Sequence, residues 1–188
     1  MSLLISGVII WSLAHLSPCL FPDTRSRLQK KLGENPYRGL FSLVILGSLV
    51  LIVFGWKAAI PTAVYAPPLA SGPVTSALIL IGFVLFFASQ APGNIKRFIR
   101  HPQMTGTLFW AAGHLLTNGD SRSVTLFGGL TIWAVLEVLM INRRDGEWQR
   151  PGPAAIKYDV IPLVVGIVSF AAVLYFHATL FGVSALPA

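Results

Sequence analysis

Hydrophobic positions along this chain gather into long runs instead of alternating with polar ones. Six apolar stretches stand out, at roughly Leu3–Phe21, Gly39–Ile60, Pro73–Gln90, Pro102–Asn118, Ser123–Ile141 and Val160–Phe181. Each approaches the ~20 residues that carry a helix across the hydrocarbon core of a bilayer. The fourth is short and contains a histidine, so it is the weakest by hydropathy. No stretch has the in-out alternation of a membrane-barrel strand, and lipid tolerates no open sheet edge. The pattern predicts an all-α, polytopic integral membrane protein with about six transmembrane helices, forming a single domain over residues 1–188.

The polar intervals orient these helices. Segments 22–38, 91–101 and 142–159 share one side if every stretch crosses once. They hold Arg25, Arg27, Lys30, Lys31 and Arg38, then Lys96, Arg97 and Arg100, then Arg143, Arg144, Arg150 and Lys157. Of the 14 Lys and Arg, only Lys57 and Arg122 lie elsewhere. Basic loops stay cytoplasmic, which predicts both termini outside the cytoplasm. The same asymmetry supports the fourth helix, because removing it would split the basic loops between two sides. Trp56 beside Lys57 suits an outer interfacial anchor. Asp23–Gly33 reads as a short surface helix, with Asp23 as its cap, Leu28 and Leu32 on one face, and Gly33 as its stop. Segment 61–73, rich in proline, reads as an outer loop.

Composition sharpens the class. Charged residues make up 11% of the 188 and hydrophobic ones 54%, where a soluble domain would be about one quarter charged. A net charge of +7 would suggest nucleic acid in a soluble protein. Here no basic run is interleaved with aromatics as single-strand binders require, and the charge fits loops beside anionic headgroups. Cys19, the single cysteine, excludes an intrachain disulfide and a Cys-rich metal site. Leu16-Ser17-Pro18-Cys19 resembles a lipoprotein cleavage box. However, no basic residue precedes the apolar run and proline precedes the cysteine, so a retained helix is expected.

Ionisable groups at membrane depth are costly, which makes each a candidate for function. At ~1.5 Å per residue, His15 lies about 18 Å below the outer edge and His114 about 18 Å above the inner one. These are the two histidines nearest mid-membrane. His101 falls at the inner boundary and His177 near the outer face. Two neutral imidazoles facing one another could ligate a haem iron, bind a metal or relay protons. They could equally lock helix packing through hydrogen bonds. A zinc hydrolase is not indicated, since no His-Glu-x-x-His spacing or carboxylate cluster occurs. Glu137 is the other charge within a helix, expected to pair with Arg143, Arg144 or Arg100. Cys19 reads as an apolar thiol before a thiolate ligand. Asn118-Gly119-Asp120 reads as a tight turn whose carboxylate could also meet a ligand.

An ordered set of residues adds a resemblance. The helix-one histidine is followed by Leu32-Gly33-Glu34-Asn35-Pro36-Tyr37-Arg38-Gly39-Leu40. Then come Arg100-His101-Pro102, Trp110, His114-Leu115-Leu116, Asn118-Gly119-Asp120 and Arg143-Arg144. Across almost the whole chain this resembles the NnrU family of bacterial membrane proteins, relatives of the plastid zeta-carotene isomerase. The resemblance implies a multi-pass protein of the bacterial inner membrane, associated with nitrite and nitric oxide reduction in denitrification. Its isomerase branch implies haem b with histidine axial ligands, carried here onto His15 and His114, and isomerisation of an apolar substrate.

A second resemblance competes. Arg100-His101-Pro102-Gln103-Met104-Thr105-Gly106 is similar to the Arg-His-Pro-x-Tyr-x-Gly motif of isoprenylcysteine and phospholipid methyltransferases. It implies S-adenosylmethionine bound near Arg100 and His101 at the cytoplasmic face. Met104 replaces their tyrosine, and their later paired glutamates are missing. A third expectation is a non-enzymatic assembly or regulatory factor for a respiratory reductase subunit, in which the histidines only pack.

Overall fold

The computed structural model describes residues 1–68 and 72–185, and its regular elements are helical. In chain order they are α1 (Ser2–Leu20), α2 (Pro22–Leu32), α3 (Glu34–Ala58), α4 (Gly72–Ala88), a short 3-10 turn (Asn94–Arg97) and α5 (Pro102–Thr117). They continue with α6 (Ser121–Asp145), which contains a π-helical segment at Val124–Gly128, and α7 (Lys157–Phe181). Every predicted apolar stretch becomes a helix. Among the described residues, four of them, α1, α3, α6 and α7, are long and apolar enough to cross a membrane. At ~1.5 Å per residue the 17 residues of α4 and the 16 of α5 reach about 26 and 24 Å, short of a ~30 Å core.

The amphipathic helix α2 differs from its expectation at one end. Asp23 does not cap it. Pro22 takes the first helical position, where its missing N–H is harmless, and Phe21 stands as N-cap without a side-chain bond. Asp23 instead lies in the first turn, with Lys30 and Lys31 in the last, an arrangement that suits the helix dipole. Gly33 does end α2, at φ +88°, a backbone angle that L side chains rarely adopt.

The chain divides into two compact units. The first comprises Met1–Leu69 and His114–Trp148, the second Ala70–Gly113 and Gln149–Ala188. In the first, α1 packs along α3 and α6 around Leu4, Val8 and Ile52, with Trp11, Trp56 and Leu126 against them. The approach of α1 to α3 is close because Gly55 faces the α1 backbone at Leu3 and Leu4, where a Cβ would collide. Pro18 inside α1 cannot donate to Ala14 O, and the Ser17 hydroxyl supplies that bond at 2.8 Å.

A clasp between the segment at 62–65 and the turn that joins α5 to α6 completes the first unit. Val64 N and Tyr65 N donate to Gly119 O at 2.8 and 3.1 Å, and Ser121 N donates to Thr62 O at 2.8 Å. The Tyr65 hydroxyl donates to the carbonyls of Leu115 and Asn118 at the end of α5. Gly119 has to be glycine here, since a Cβ would strike Tyr65 O.

The second unit packs through small residues. A Cβ on Gly82 would lie 2.9 Å from Gly106 O, and one on Gly106 2.7 Å from Gly82 O, so α4 and α5 meet backbone to backbone. Thr75 Oγ1 donates to Gly113 O at 3.1 Å, and Gly166 of α7 lies against Val84 of α4. Asn94 ties two of the basic loops together. Its Nδ2 donates to Asp159 Oδ2 at 2.6 Å and to Ala154 O at 2.9 Å, and its Oδ1 accepts from Ala154 N at 3.0 Å.

Candidate functional site

The first unit holds a buried cluster of polar-tipped aromatics around His15. Trp11 and His15 are four residues apart on α1, and Trp133 and Glu137 are four apart on α6, so each pair shares a helix face. The His15 ring lies 4.3 Å from Trp11, 5.1 Å from Trp133 and 5.9 Å from Phe41 of α3, centroid to centroid. Trp11 and Trp133 meet edge to face at 5.7 Å. Three helices thus fix one imidazole between aromatic walls.

Backbone contact fixes the tautomer as well. His15 Nδ1 lies 2.9 Å from Trp11 O. A carbonyl only accepts, so Nδ1 carries the proton and the lone pair belongs to Nε2. Metal-bound histidines are commonly oriented in this way by their second nitrogen. The rest of the cluster is partly paired. Trp11 Nε1 is buried without an acceptor, while the Trp133 indole, 4% exposed, acts on the carboxyl of Glu137, 9% exposed, one turn further along α6. A buried orphan donor is rare in proteins and costly in a hydrocarbon setting.

Glu137 meets its expectation in part: the charge of Arg144 acts on its carboxylate, but Arg144 makes no direct ion pair with it. Its guanidinium instead donates to Asp145 at 2.7 and 3.2 Å and to Cys19 Sγ at 3.3 Å. The thiol of Cys19 is half-buried at the end of α1 and meets a cation there, a more polar setting than an inert core thiol.

His114 belongs to the same unit as His15. Its ring stacks on Phe127 at 4.3 Å and 19° between planes. Phe127 comes from the π-helical segment of α6, where the wider turn changes the direction of its side chains. Phe127 and Trp133 are six residues apart on α6, about 9 Å along its axis. Among the described residues no three of His, Cys, Asp and Glu gather to cage a metal. An iron centre that brings four equatorial ligands of its own needs only two from the protein, and neutral imidazoles are the right kind. The donor chemistry of His15 and His114 fits haem b in this sense.

The other candidates have different surroundings. Arg100 and His101 lie in the second unit, just before α5, and His101 O accepts from Thr105 N and Thr105 Oγ1, both at 3.0 Å. His177 Nδ1 bonds Val183 O at 2.8 Å beyond the end of α7. Asp120 is occupied as the N-cap of α6. Its Oδ1 accepts from Arg122 N and Ser123 N, and its Oδ2 from Ser123 Oγ at 2.6 Å. Burial acts to raise its pKa, but these bonds and the Arg122 charge prevail and hold it below the ordinary carboxylate range. Tyr65 is pushed up, by burial first and then by the charge of Asp120. Arg122 in turn lies 4.8 Å above the Trp56 ring, at the C-terminal end of α3.

Trp11, Trp133 and Phe41 are not among the residues that the sequence marks as candidates. The signal that would have found them was the four-residue spacing of Trp11 to His15 and of Trp133 to Glu137. No curated protein and no solved structure matches the chain. A family model described as NnrU protein matches residues 3–185, nearly the whole length, and the chain therefore belongs to the NnrU family.

Proposed function

We propose that this is an inner-membrane protein that binds haem b through His15 and His114 and serves nitrite and nitric oxide metabolism. All six apolar helices traverse the bilayer, α4 and α5 spanning it despite their shorter length, with both termini outside the cytoplasm. The observation that carries the reading is His15. Its Nδ1 is committed to Trp11 O, and its Nε2 lone pair is held in place by aromatic rings from three helices. Family membership supports the same reading.

When bound, haem would supply an iron able to change valence and to take a small diatomic ligand or polarise an apolar substrate. The chain would do the rest. Trp11, Trp133 and Phe41 would exclude water and keep the His15 ring from rotating. Phe127 would hold the plane of His114 by stacking. The same site would serve isomerisation of an apolar substrate if one imidazole can release the iron.

The test is the absorption spectrum of protein purified in mild detergent from haem-replete cells, oxidised and then reduced with dithionite. The expected result is a Soret band that shifts on reduction, with near-stoichiometric haem. A colourless protein that takes up no added hemin would overturn the reading. If that protein also bound S-adenosylmethionine in a manner dependent on Arg100 and His101, methyl transfer would replace it. Copurification with a respiratory reductase subunit and no cofactor would favour the assembly factor.

A further inference from the structure

We infer that a groove between α4 and α7 in the second unit binds one anionic glycerophospholipid of the surrounding bilayer, with an acyl chain along α7 and the phosphate at Lys157. The site lies in the other unit from His15 and does not depend on the haem reading. The groove has a volume of about 190 Å³. Phe87 and Ala91 line one side, and Tyr158, Ile161, Pro162 and Val165 the other. The last four recur at spacings of three and four residues, so they share one face of α7 over about 10 Å of its axis. The groove therefore starts at the first turn of α7, beside a basic loop, and runs inward along the helix.

Its walls suit an alkyl chain. They are almost wholly apolar, and the one amide among them, Gln90, donates to Ser89 Oγ at 2.8 Å. The α7 helix is long and apolar enough to cross a membrane. Its groove-lining residues stay open to the surroundings, Ile161 at 57% and Val165 at 39% exposure. In a bilayer, such a surface meets lipid tails.

Charge at the mouth selects the head. Lys157 Nζ lies 5.1 Å from the centre of the Tyr158 ring, which itself lines the groove. Among the described residues no carboxylate forms an ion pair with Lys157. The 3-10 turn that carries Lys96 and Arg97 is fastened to the same end of α7. Ile95 N donates to Asp159 Oδ1 at 3.2 Å, and a Cβ on Gly93 would lie 2.6 Å from Tyr158 O. Asp159 is the one acidic residue in the second unit, and its oxygens are taken by Asn94 and Ile95. Against it stand Lys96, Arg97, Arg100, Arg150 and Lys157. The backbone N–H groups of Tyr158 and Asp159 already bond Ala155 O and Ile156 O, so recognition falls to side chains. A plain hydrocarbon would fill the groove and leave this charge unmatched, and a zwitterionic head would bring a second cation to it. A lipid with net negative charge meets both demands.

The probe is dioleoylphosphatidylglycerol, added to the delipidated full-length protein in detergent, with bound lipid counted by native mass spectrometry. Dioleoylphosphatidylcholine, with the same tails and a zwitterionic head, is the control. The first phosphatidylglycerol should bind the wild type about fivefold more tightly than phosphatidylcholine, the effect of roughly one basic residue near a headgroup. Lys157→Ala should abolish that preference. Ala91→Trp, which fills the groove, should abolish it as well. Lys57→Ala removes a basic residue of the first unit and should leave the preference intact. Lys157 is exposed, so its variant is expected to fold; if Ala91→Trp does not, Lys157→Ala set against Lys57→Ala decides. Equal binding of the two lipids to the wild type would overturn the inference and leave the groove to bulk lipid. A preference that survives in Lys157→Ala or in folded Ala91→Trp would also overturn it, as would an equal loss in Lys57→Ala.

Discussion

The two units solve the problem of helix contact in the same way and differ in what they bury. Both bring backbones together at glycine, Gly55 against Leu4 in the first and Gly82 against Gly106 in the second. In the second unit, the buried Thr75 hydroxyl finds the Gly113 carbonyl and Gly166 rests on Val84. In the first, the Trp11 indole N–H remains buried without an acceptor, and Trp133 and Glu137 meet each other beside an oriented imidazole. A chain able to satisfy its polar groups in one unit has no physical reason to leave them open in the other, unless something else completes them. On the proposed reading the first unit carries the haem site.

The largest expected effects should be common to both units. Gly55→Leu and Gly82→Leu force a side chain into a neighbouring backbone and should each lower stability by about 3 kcal/mol or more. Thermal melting in detergent would show this. A mild effect in either unit would mean that its helices are looser than the close approach implies.

The next prediction separates the units by sign. Glu137→Leu removes a buried carboxyl without an ion pair and should stabilise the ligand-free protein by about 1–3 kcal/mol. Thr75→Val breaks a satisfied bond and should destabilise by about 1 kcal/mol. If both changes destabilise, the contrast between the units fails.

Much of this architecture could be read from the sequence, for reasons that particular residues make plain. The six apolar stretches are helices, and for the four long enough to cross a bilayer lipid leaves no other way to satisfy their backbone. The fourth stretch does form a helix, α5, although its own hydropathy is weak and its 16 residues keep it out of the four helices long and apolar enough to cross a membrane among the described residues. Local rules were less secure at Asp23, where Pro22 one residue earlier took the first helical position and moved the cap to Phe21. The π-helical segment was invisible, because a one-residue change in hydrogen-bond register leaves no mark on an apolar run. The histidines were conspicuous as lone polar residues at depth. Their aromatic neighbours were not, since tryptophan in an apolar helix looks the same whether or not its N–H is satisfied.

The clasp between residues 62–65 and the start of α6 gives the smaller effects. Asp120→Ala removes an N-cap acceptor and should cost about 1–2 kcal/mol, seen as faster hydrogen exchange at Arg122 and Ser123. The pH dependence has a definite sign. Asp120 titrates lower in the folded protein than in the unfolded chain, so its contribution is present above the unfolded value near ~3.9 and is lost as pH falls through the folded one. Exchange at the start of α6 should therefore be flat from pH 7 to about 5 after correction for intrinsic rates, and should rise only in more acid solution.

The central claim, that the first unit holds the working site, is tested most directly by haem stoichiometry in two single variants purified alongside the wild type. His15→Ala removes the oriented imidazole of the first unit. His177→Ala removes a histidine of the second that is bonded to Val183 O. His15→Ala is expected to lose most of its haem or change spin state while His177→Ala retains the wild-type spectrum. Full haem occupancy and an unchanged spectrum in His15→Ala would contradict it.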